Sequence, residues 1–280
     1  MTLARERLRA ALGRPGLVVA PFVYNGLQAM IARKSGFGAV YMTGFGTAAA
    51  HGMPDLGLLT MTEMVANARW ICRAVDVPVI CDADTGYGSP LNVIRTVEEF
   101  EDAGAAAFHI EDQVWPKRCG FFEGKEVIPR DEMVQKVHAA CDGRSDSNLV
   151  IIARTDALQA EGWSGAEERV RSYFEAGADL IFVDGIRTIT DLDEYCHRLS
   201  DLPRLYNGQL CSTHEIESRG FKIMIHTGTL AAAYRALRDA MSELRDQGRI
   251  RAAEDPSLFA ELLDLLEVPE ALERGSRYTG

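Results

Sequence analysis

Residues 100–112 read F-E-D-A-G-A-A-A-F-H-I-E-D. The segment ends a helical pattern at Phe100–Ala103, turns at Gly104, and runs through the largely apolar Ala105–Ile110 into two acids, Glu111 and Asp112. A glycine past the last helical turn takes the left-handed conformation that lets the chain reverse. The short apolar run after it has the composition of a buried strand. The same pattern returns at 174–184, F-E-A-G-A-D-L-I-F-V-D, and more faintly at 32–41, A-R-K-S-G-F-G-A-V-Y. A repeated helix–glycine–strand unit predicts parallel strands joined by helical crossovers.

Outward from these units, eight apolar, β-rich runs are legible: Leu17–Ala20, Ala39–Met42, Val77–Cys81, Ala105–Ile110, Leu149–Ala153, Leu180–Val183, Arg204–Tyr206 and Lys222–Ile225. Helical periodicity lies between most of them, at Gly26–Ser35, Thr60–Val75, Pro90–Ala103, Arg130–Cys141 and Gly165–Ala176. Eight strands in this alternation predict an α/β fold, a (β/α)8 TIM-type barrel. An open doubly wound sheet would gather its functional groups at one switch point. Here polar residues follow strand after strand: Thr43, Asp82 and Asp84, His109 and Glu111, Arg154 and Asp156, Asp184, Asn207, His226. A ring of strand ends is what the C-terminal mouth of a barrel provides. Residues 1–280 read as a single barrel domain with a helical extension over about 231–280. That extension carries a leucine-rich face suited either to its own barrel or to a neighbouring subunit.

The chain has 280 residues, 47% of them hydrophobic, and a formal charge of -11. An acidic surface disfavours broad nucleic-acid binding, which needs cations against phosphates. The six cysteines form no CxxC pair, and neither a secretory segment nor a membrane span is legible. A cytoplasmic setting with free thiols is the expectation.

The chemistry is carried by carboxylates and one cysteine. Asp82 and Asp84 stand two apart at a strand end, a spacing that can place both on one side of a pleat. Glu111 ends the next strand, and Asp55 sits in the turn Pro54-Asp55-Leu56-Gly57. Carboxylates collected at one mouth repel unless a hard cation joins them, and Mg2+ suits such a set, with Mn2+ an alternative. Cys119 lies in P-K-R-C-G, where neighbouring cations would favour a thiolate. Lys117 and Arg118 read equally well as a solvated charged face. Arg154 reads as a carboxylate holder or as an ion pair with Asp156. His109 reads as a hydrogen-bonded strand histidine rather than a metal ligand. No phosphate-cradling glycine loop is present, since Gly44-Phe45-Gly46 is too short.

Together, V-Y-M-T-G, P-D-L-G, C-D-A-D-T-G-Y-G, H-I-E-D-Q-V, P-K-R-C-G and I-I-A-R-T-D-A resemble the isocitrate lyase / phosphoenolpyruvate mutase superfamily, in its methylisocitrate lyase / 2,3-dimethylmalate lyase-like branch. The resemblance spans most of the chain. It implies a Mg2+-dependent lyase cleaving a 2-hydroxy acid to a 2-oxo acid and a carboxylate, and a homotetramer whose subunits exchange C-terminal helices. It assigns the metal to Asp82, Asp84, Asp55 and Glu111, and the α-oxyacid end to Arg154, Thr43 and Gly44. Tyr41 would stand near the 2-oxygen. Cys119 would protonate the fragment left by cleavage, with Lys117 favouring its thiolate. Phe45, Gly120, Phe121, Asp184 and Asn207 would complete the substrate site.

The chain departs from that branch at several positions. Phe121 stands where a histidine usually follows K-R-C-G, and Phe45 ends what is usually Ser-Gly-Gly. Asp184 replaces a glutamate, and His226-Thr227-Gly228 replaces a proline-bearing turn. These changes predict a substrate whose distal half is less carboxylate-rich, or more apolar, than that of methylisocitrate. Hydrolysis or decarboxylation of oxaloacetate-like acids, carboxyphosphonoenolpyruvate mutase-like phosphorus–carbon chemistry, and a non-catalytic keto-acid binder are the competing readings.

Overall fold

Eight parallel strands pair in chain order and close on themselves, β1 against β8. The computed structural model describes residues 2–120, 122 and 124–278. The strands are β1 (Val18–Val23), β2 (Val40–Met42), β3 (Val79–Asp82), β4 (Ala107–Glu111), β5 (Val150–Thr155), β6 (Leu180–Val183), β7 (Arg204–Asn207) and β8 (Ile223–His226). The chain is therefore a (β/α)8 barrel, and each expected strand is present to within a few residues.

Twelve helices are found among the described residues: α1 (Thr2–Leu12), α2 (Gly26–Lys34), α3 (Gly44–Ala50), α4 (Met61–Ala74), α5 (Pro90–Ala103), α6 (Arg130–Gly143), α7 (Leu158–Glu175), α8 (Ile189–Arg198), α9 (Thr213–Ser218), α10 (Gly228–Gln247), α11 (Pro256–Leu265) and α12 (Val268–Ser276). Local chemistry sets their ends. Thr60 and Glu63 close a capping box at the start of α4, and Gly104, at φ 101°, stops α5 in the left-handed region. α7 begins before the expected Gly165 and is broken at Gly162.

Strand alternation divides the barrel residues into two sets. Val40, Met42, Val79, Cys81, Phe108, Ile110, Ile151, Ala153, Ile181 and Val183 belong to the core shared with the helices. Ala20, Phe22, Tyr41, Ile80, Ala107, Val150, Ile152, Leu180, Phe182, Leu205, Ile223 and Ile225 fill the interior, with Leu8 of α1 packed among them. Continuing the interior parity toward the strand ends yields Asp82, His109, Glu111, Arg154, Asp184 and Asn207. The barrel's own geometry thus delivers these groups to one mouth.

The chain divides into two compact units, one ending at Gly228 and one beginning at Thr229. In the second, α10 exposes Tyr234, Leu237, Met241 and Leu244, spaced along one helical face. α11 and α12 expose Leu258, Phe259 and Leu272, and Leu266 is exposed just past the end of α11. No helix among the described residues is long and apolar enough to cross a membrane.

Candidate active site

Register places the first pairs. Asp82 is the partner of His109 across β3 and β4, and Glu111 is the partner of Arg154 across β4 and β5. The Asp82 carboxylate accepts from the backbone N–H of Gly44 at 3.1 Å and of Asp84 at 3.0 Å. A Cβ on Gly44 would stand 2.5 Å from Asp82 Oδ2, so the absence of a side chain there is what admits the carboxylate. Thr43 caps α3 through its hydroxyl, which turns the Gly44 N–H inward. The Tyr41 hydroxyl lies 2.7 Å from Nε2 of His109. Burial lowers the His109 pKa to about 4, so the ring is neutral near pH 7.

Asp84 does not continue the pleat. β3 ends at Asp82, and Asp84 takes φ 47°, in the left-handed region. Its Oδ1 lies 2.7 Å from Nζ of Lys117, which is also 2.6 Å from Asp55 Oδ1. Lys117 is 4% exposed, so it is no solvated surface lysine. Burial works against its charge, but Asp84, Asp82, Glu111 and Asp55 outweigh burial and hold it protonated. Burial raises Asp84 to about 6, with Asp82 and Asp55 adding to the rise and Lys117 opposing it. Burial also pushes Glu111 well above the usual carboxylate range.

Arg154 is saturated with carboxylates. Its Nη1 is 3.0 Å from Glu111 Oε2, its Nε and Nη2 grip Asp156 at 2.9 and 3.0 Å, and Nη2 reaches Asp184 at 3.0 Å. Asn207 donates to Asp184 at 3.1 Å. Gln113 ties Glu111 to the backbone carbonyl of Arg118, each at 2.8 Å. Segment 113–128 is pinned at its base, where Val114 N–H donates to Glu126 and Ile128 N–H to Asp112, both at 2.8 Å.

Cys119 rides on that segment. It is 5% exposed, with its N–H donating to the Asp55 carbonyl at 3.1 Å. It lines a cavity with Tyr41, Thr43, Phe45, Asp82, Lys117, Gly120 and Arg154. The thiol is therefore buried against the polar mouth rather than in the apolar interior. The cavity measures about 30 Å3, room for a water molecule. A four-carbon acid would need residues 117–120 to lift away.

A metal ion suits this set. Asp82, His109 and Glu111 each offer a donor atom, all within 4.8 Å of one another. Oδ1 of Asp84 and Oε2 of Glu111 are fully buried without an aligned hydrogen bond, 2.7 Å from Lys117 Nζ and 3.0 Å from Arg154 Nη1. Among the described residues of the mouth, six buried carboxylates (Asp55, Asp82, Asp84, Glu111, Asp156, Asp184) face three buried cations (Lys117, Lys125, Arg154). That excess of negative charge in low dielectric is costly, and a divalent cation offsets it.

A family model described as phosphoenolpyruvate phosphomutase matches residues 8–245. The chain belongs to the phosphoenolpyruvate phosphomutase family. It is 40% identical to 2,3-dimethylmalate lyase of Eubacterium barkeri, over 97% of each chain. It is also 40% identical to 2-methylisocitrate lyase of Aeropyrum pernix, over 86% of this chain and 80% of that one. Among solved structures, oxaloacetate acetylhydrolase in complex with 3,3-difluorooxalacetate matches with a TM-score of 0.93 at 37% identity, covering 100% of this chain and 98% of that one.

In this member of the phosphoenolpyruvate phosphomutase family, the expected site residues Tyr41, Thr43, Gly44, Phe45, Asp55, Asp82, Asp84, Glu111, Lys117, Cys119, Gly120, Arg154, Asp184 and Asn207 gather at one mouth. Phe121 lies outside the described residues. The structure adds to the expectations at three residues. Asp55 and Asp84 are both paired with Lys117. Lys117 therefore spends its charge on carboxylates. His109, set aside as a ligand, falls within the donor group, although its Nε2 is engaged by Tyr41. Sequence reasoning missed Gln113 and Lys125. The sequence signal available for Lys125 was its place one residue after a glycine in the segment that carries Cys119.

Proposed function

We propose that the protein is a Mg2+-dependent carbon–carbon lyase that cleaves a 2-hydroxy acid of the alkyl-malate or methylisocitrate type. The observation that carries this reading is the thiol of Cys119 facing a mouth that holds both an acidic donor set and a buried arginine. Asp82 and Glu111, with Asp84 and Asp55 through water, would hold the ion. When bound it would polarise the 2-oxygen and neutralise the oxyacid end.

This chain's own groups do the rest. Arg154 binds the carboxylate beside the reacting carbon, and the Gly44 N–H and Thr43 add hydrogen bonds to the same end. Tyr41, backed by neutral His109, stands at the 2-oxygen. The 2-hydroxyl gives its proton to a carboxylate of the acidic mouth, its oxygen becomes the carbonyl of a 2-oxo acid, and the C2–C3 pair moves onto C3. The Cys119 thiol gives its proton to C3, which leaves as a carboxylate-bearing fragment, and the thiolate regains a proton before the next turnover. Seating of residues 117–120 excludes water from the carbanion. Lys117 holds Asp55 and Asp84 together as that segment seats. Phe45, which lines the cavity, would give the distal pocket an apolar wall.

Both lyase relatives cited above have names that point to this chemistry. A panel of 2,3-dimethylmalate, 2-methylisocitrate and oxaloacetate tests it. Release of a 2-oxo acid from one of the hydroxy acids, abolished by a chelator and restored by Mg2+, is the expected result. Conversion of oxaloacetate alone to oxalate and acetate would favour the hydrolase reading, which the likeness to oxaloacetate acetylhydrolase keeps open. An aromatic ring at the distal pocket favours dimethylmalate, so equal cleavage of methylisocitrate would contradict the apolar-pocket part of the proposal.

The apolar face Tyr234, Leu237, Met241 and Leu244 supports a homotetramer with exchanged C-terminal helices. Leu237→Glu with Met241→Glu should yield smaller species in light scattering. An unchanged mass would remove that face from the assembly.

A further inference from the structure

Lys125 is the second cation that segment 113–128 brings to the mouth. Its side chain is 2% exposed. Nζ lies 2.7 Å from Asp156 Oδ1 and 3.7 Å from Asp184 Oδ2, and it donates to the Gly120 carbonyl at 2.9 Å. Asp156 Oδ1 also accepts from Arg154 Nη2 at 3.0 Å, so one oxygen serves two cations.

Charge arithmetic gives this sharing a purpose. Around Arg154 stand three carboxylates, Glu111, Asp156 and Asp184, against two cations, Arg154 and Lys125. A substrate carboxylate that takes the guanidinium must displace at least one of them. A displaced carboxylate left buried without a partner is strongly unfavourable. If Glu111 turns to a metal, three carboxylates, the substrate's included, still face Arg154 and Lys125. Without Lys125 they would face a single guanidinium. The Gly120 carbonyl bond further ties the Cys119–Gly120 backbone to the charge that steadies Asp156.

We propose that Lys125 is a positioning residue that releases Arg154 to the substrate by taking over Asp156 and Asp184. The inference rests on the reading of Arg154 as the carboxylate holder. Lys125 touches no reacting atom and acts through Arg154.

Oxalate, two adjacent carboxylates imitating the enolate of a 2-oxo acid, is a suitable probe. Its binding to the full-length protein in Mg2+ is measured by calorimetry for Lys125→Met, Lys125→Gln, Lys125→Arg and Arg154→Gln. Lys125→Met and Lys125→Gln should each weaken oxalate at least about tenfold, less than the loss of a buried ion-pair partner outright, because Lys125 acts through Arg154. Lys125→Arg, which keeps the charge, should stay within about threefold of the parent. Turnover of the two neutral variants should show KM rising more than kcat falls. Oxalate affinity within about twofold of the parent in both neutral variants, with Arg154→Gln impaired, overturns the inference alone. An equal loss in the arginine and neutral variants also overturns it, because shape rather than charge would then matter. Undiminished affinity in Arg154→Gln would instead remove the reading on which it rests.

Discussion

Glu111 and Arg154 are register partners across β4 and β5, and their side chains meet with Nη1 3.0 Å from Oε2. One is a proposed metal ligand and the other the proposed substrate clamp, so each quenches the other at rest. Whatever binds one frees the other. Mg2+ and oxalate should therefore bind cooperatively. Saturating Mg2+ should tighten oxalate by about 5–150-fold, and oxalate should tighten Mg2+ by the same factor. Calorimetric titrations in both orders check this, and independent binding would mean that the Glu111–Arg154 pair persists in the loaded site.

Gly120 leaves no room for a side chain between the seated segment and the barrel. A Cβ there would fall 1.8 Å from Asp184 Oδ2 and 2.8 Å from Arg154 Nη2. Gly120→Ala should lower kcat/KM by about 10²-fold, as expected when reacting groups are misplaced by about an ångström. Thermal stability should change little. Gly38→Ala, where nothing lies within 4 Å, is the matching control and should be silent. Full activity in Gly120→Ala would show that residues 117–120 need not seat as they do here.

The opposite end of the barrel carries stability rather than chemistry. Leu8 is buried among the interior residues of the barrel. Arg9 grips Asp179 at 2.6 and 2.8 Å, and Arg5 reaches the Ala105 carbonyl at 2.9 Å. Leu8→Ala should cost about 2–5 kcal/mol, read as a fall in Tm, with kcat unaffected. A loss of activity without a loss of stability would tie α1 to the site instead.

Asp146 makes part of that docking pH-sensitive. The backbone N–H of Asn148 and the Arg5 guanidinium hold its carboxyl below the usual range. A depressed folded pKa contributes stability above the unfolded value, near 3.9, that is lost as pH falls through the lower folded value. Asp146→Asn should therefore lower Tm at pH 7, and the gap should narrow steadily below about pH 4. A gap independent of pH would assign the loss to shape rather than to charge.

Much of this architecture was legible because it rests on local rules. A glycine after a helical pattern and an apolar run ending in acids mark a barrel strand whether or not its neighbours are known, which is why Phe100–Asp112 and Phe174–Asp184 sufficed. Many of the mouth residues were read as the polar groups that follow one apolar run after another. α3 was not legible, because G-F-G-T-A-A-A has two glycines among its first three residues and is anchored by the Thr43 cap and by burial. Nor was the role of Lys117, whose ammonium meets Asp55 from 62 residues away. Lys125 escaped for the same reason, since its partner Asp156 is 31 residues distant. The spacing of Asp82 and Asp84 suggested a shared pleat face, but the strand ended between them and a left-handed residue brought Asp84 to the mouth instead.

The central claim is that the Cys119 thiol delivers the proton that completes carbon–carbon cleavage. Steady-state kinetics of Cys119→Ser, on whichever hydroxy acid the parent enzyme cleaves, test it most directly. The account predicts a kcat lowered at least about 10²-fold with KM nearly unchanged. A serine variant that turns over at the parent rate would contradict it.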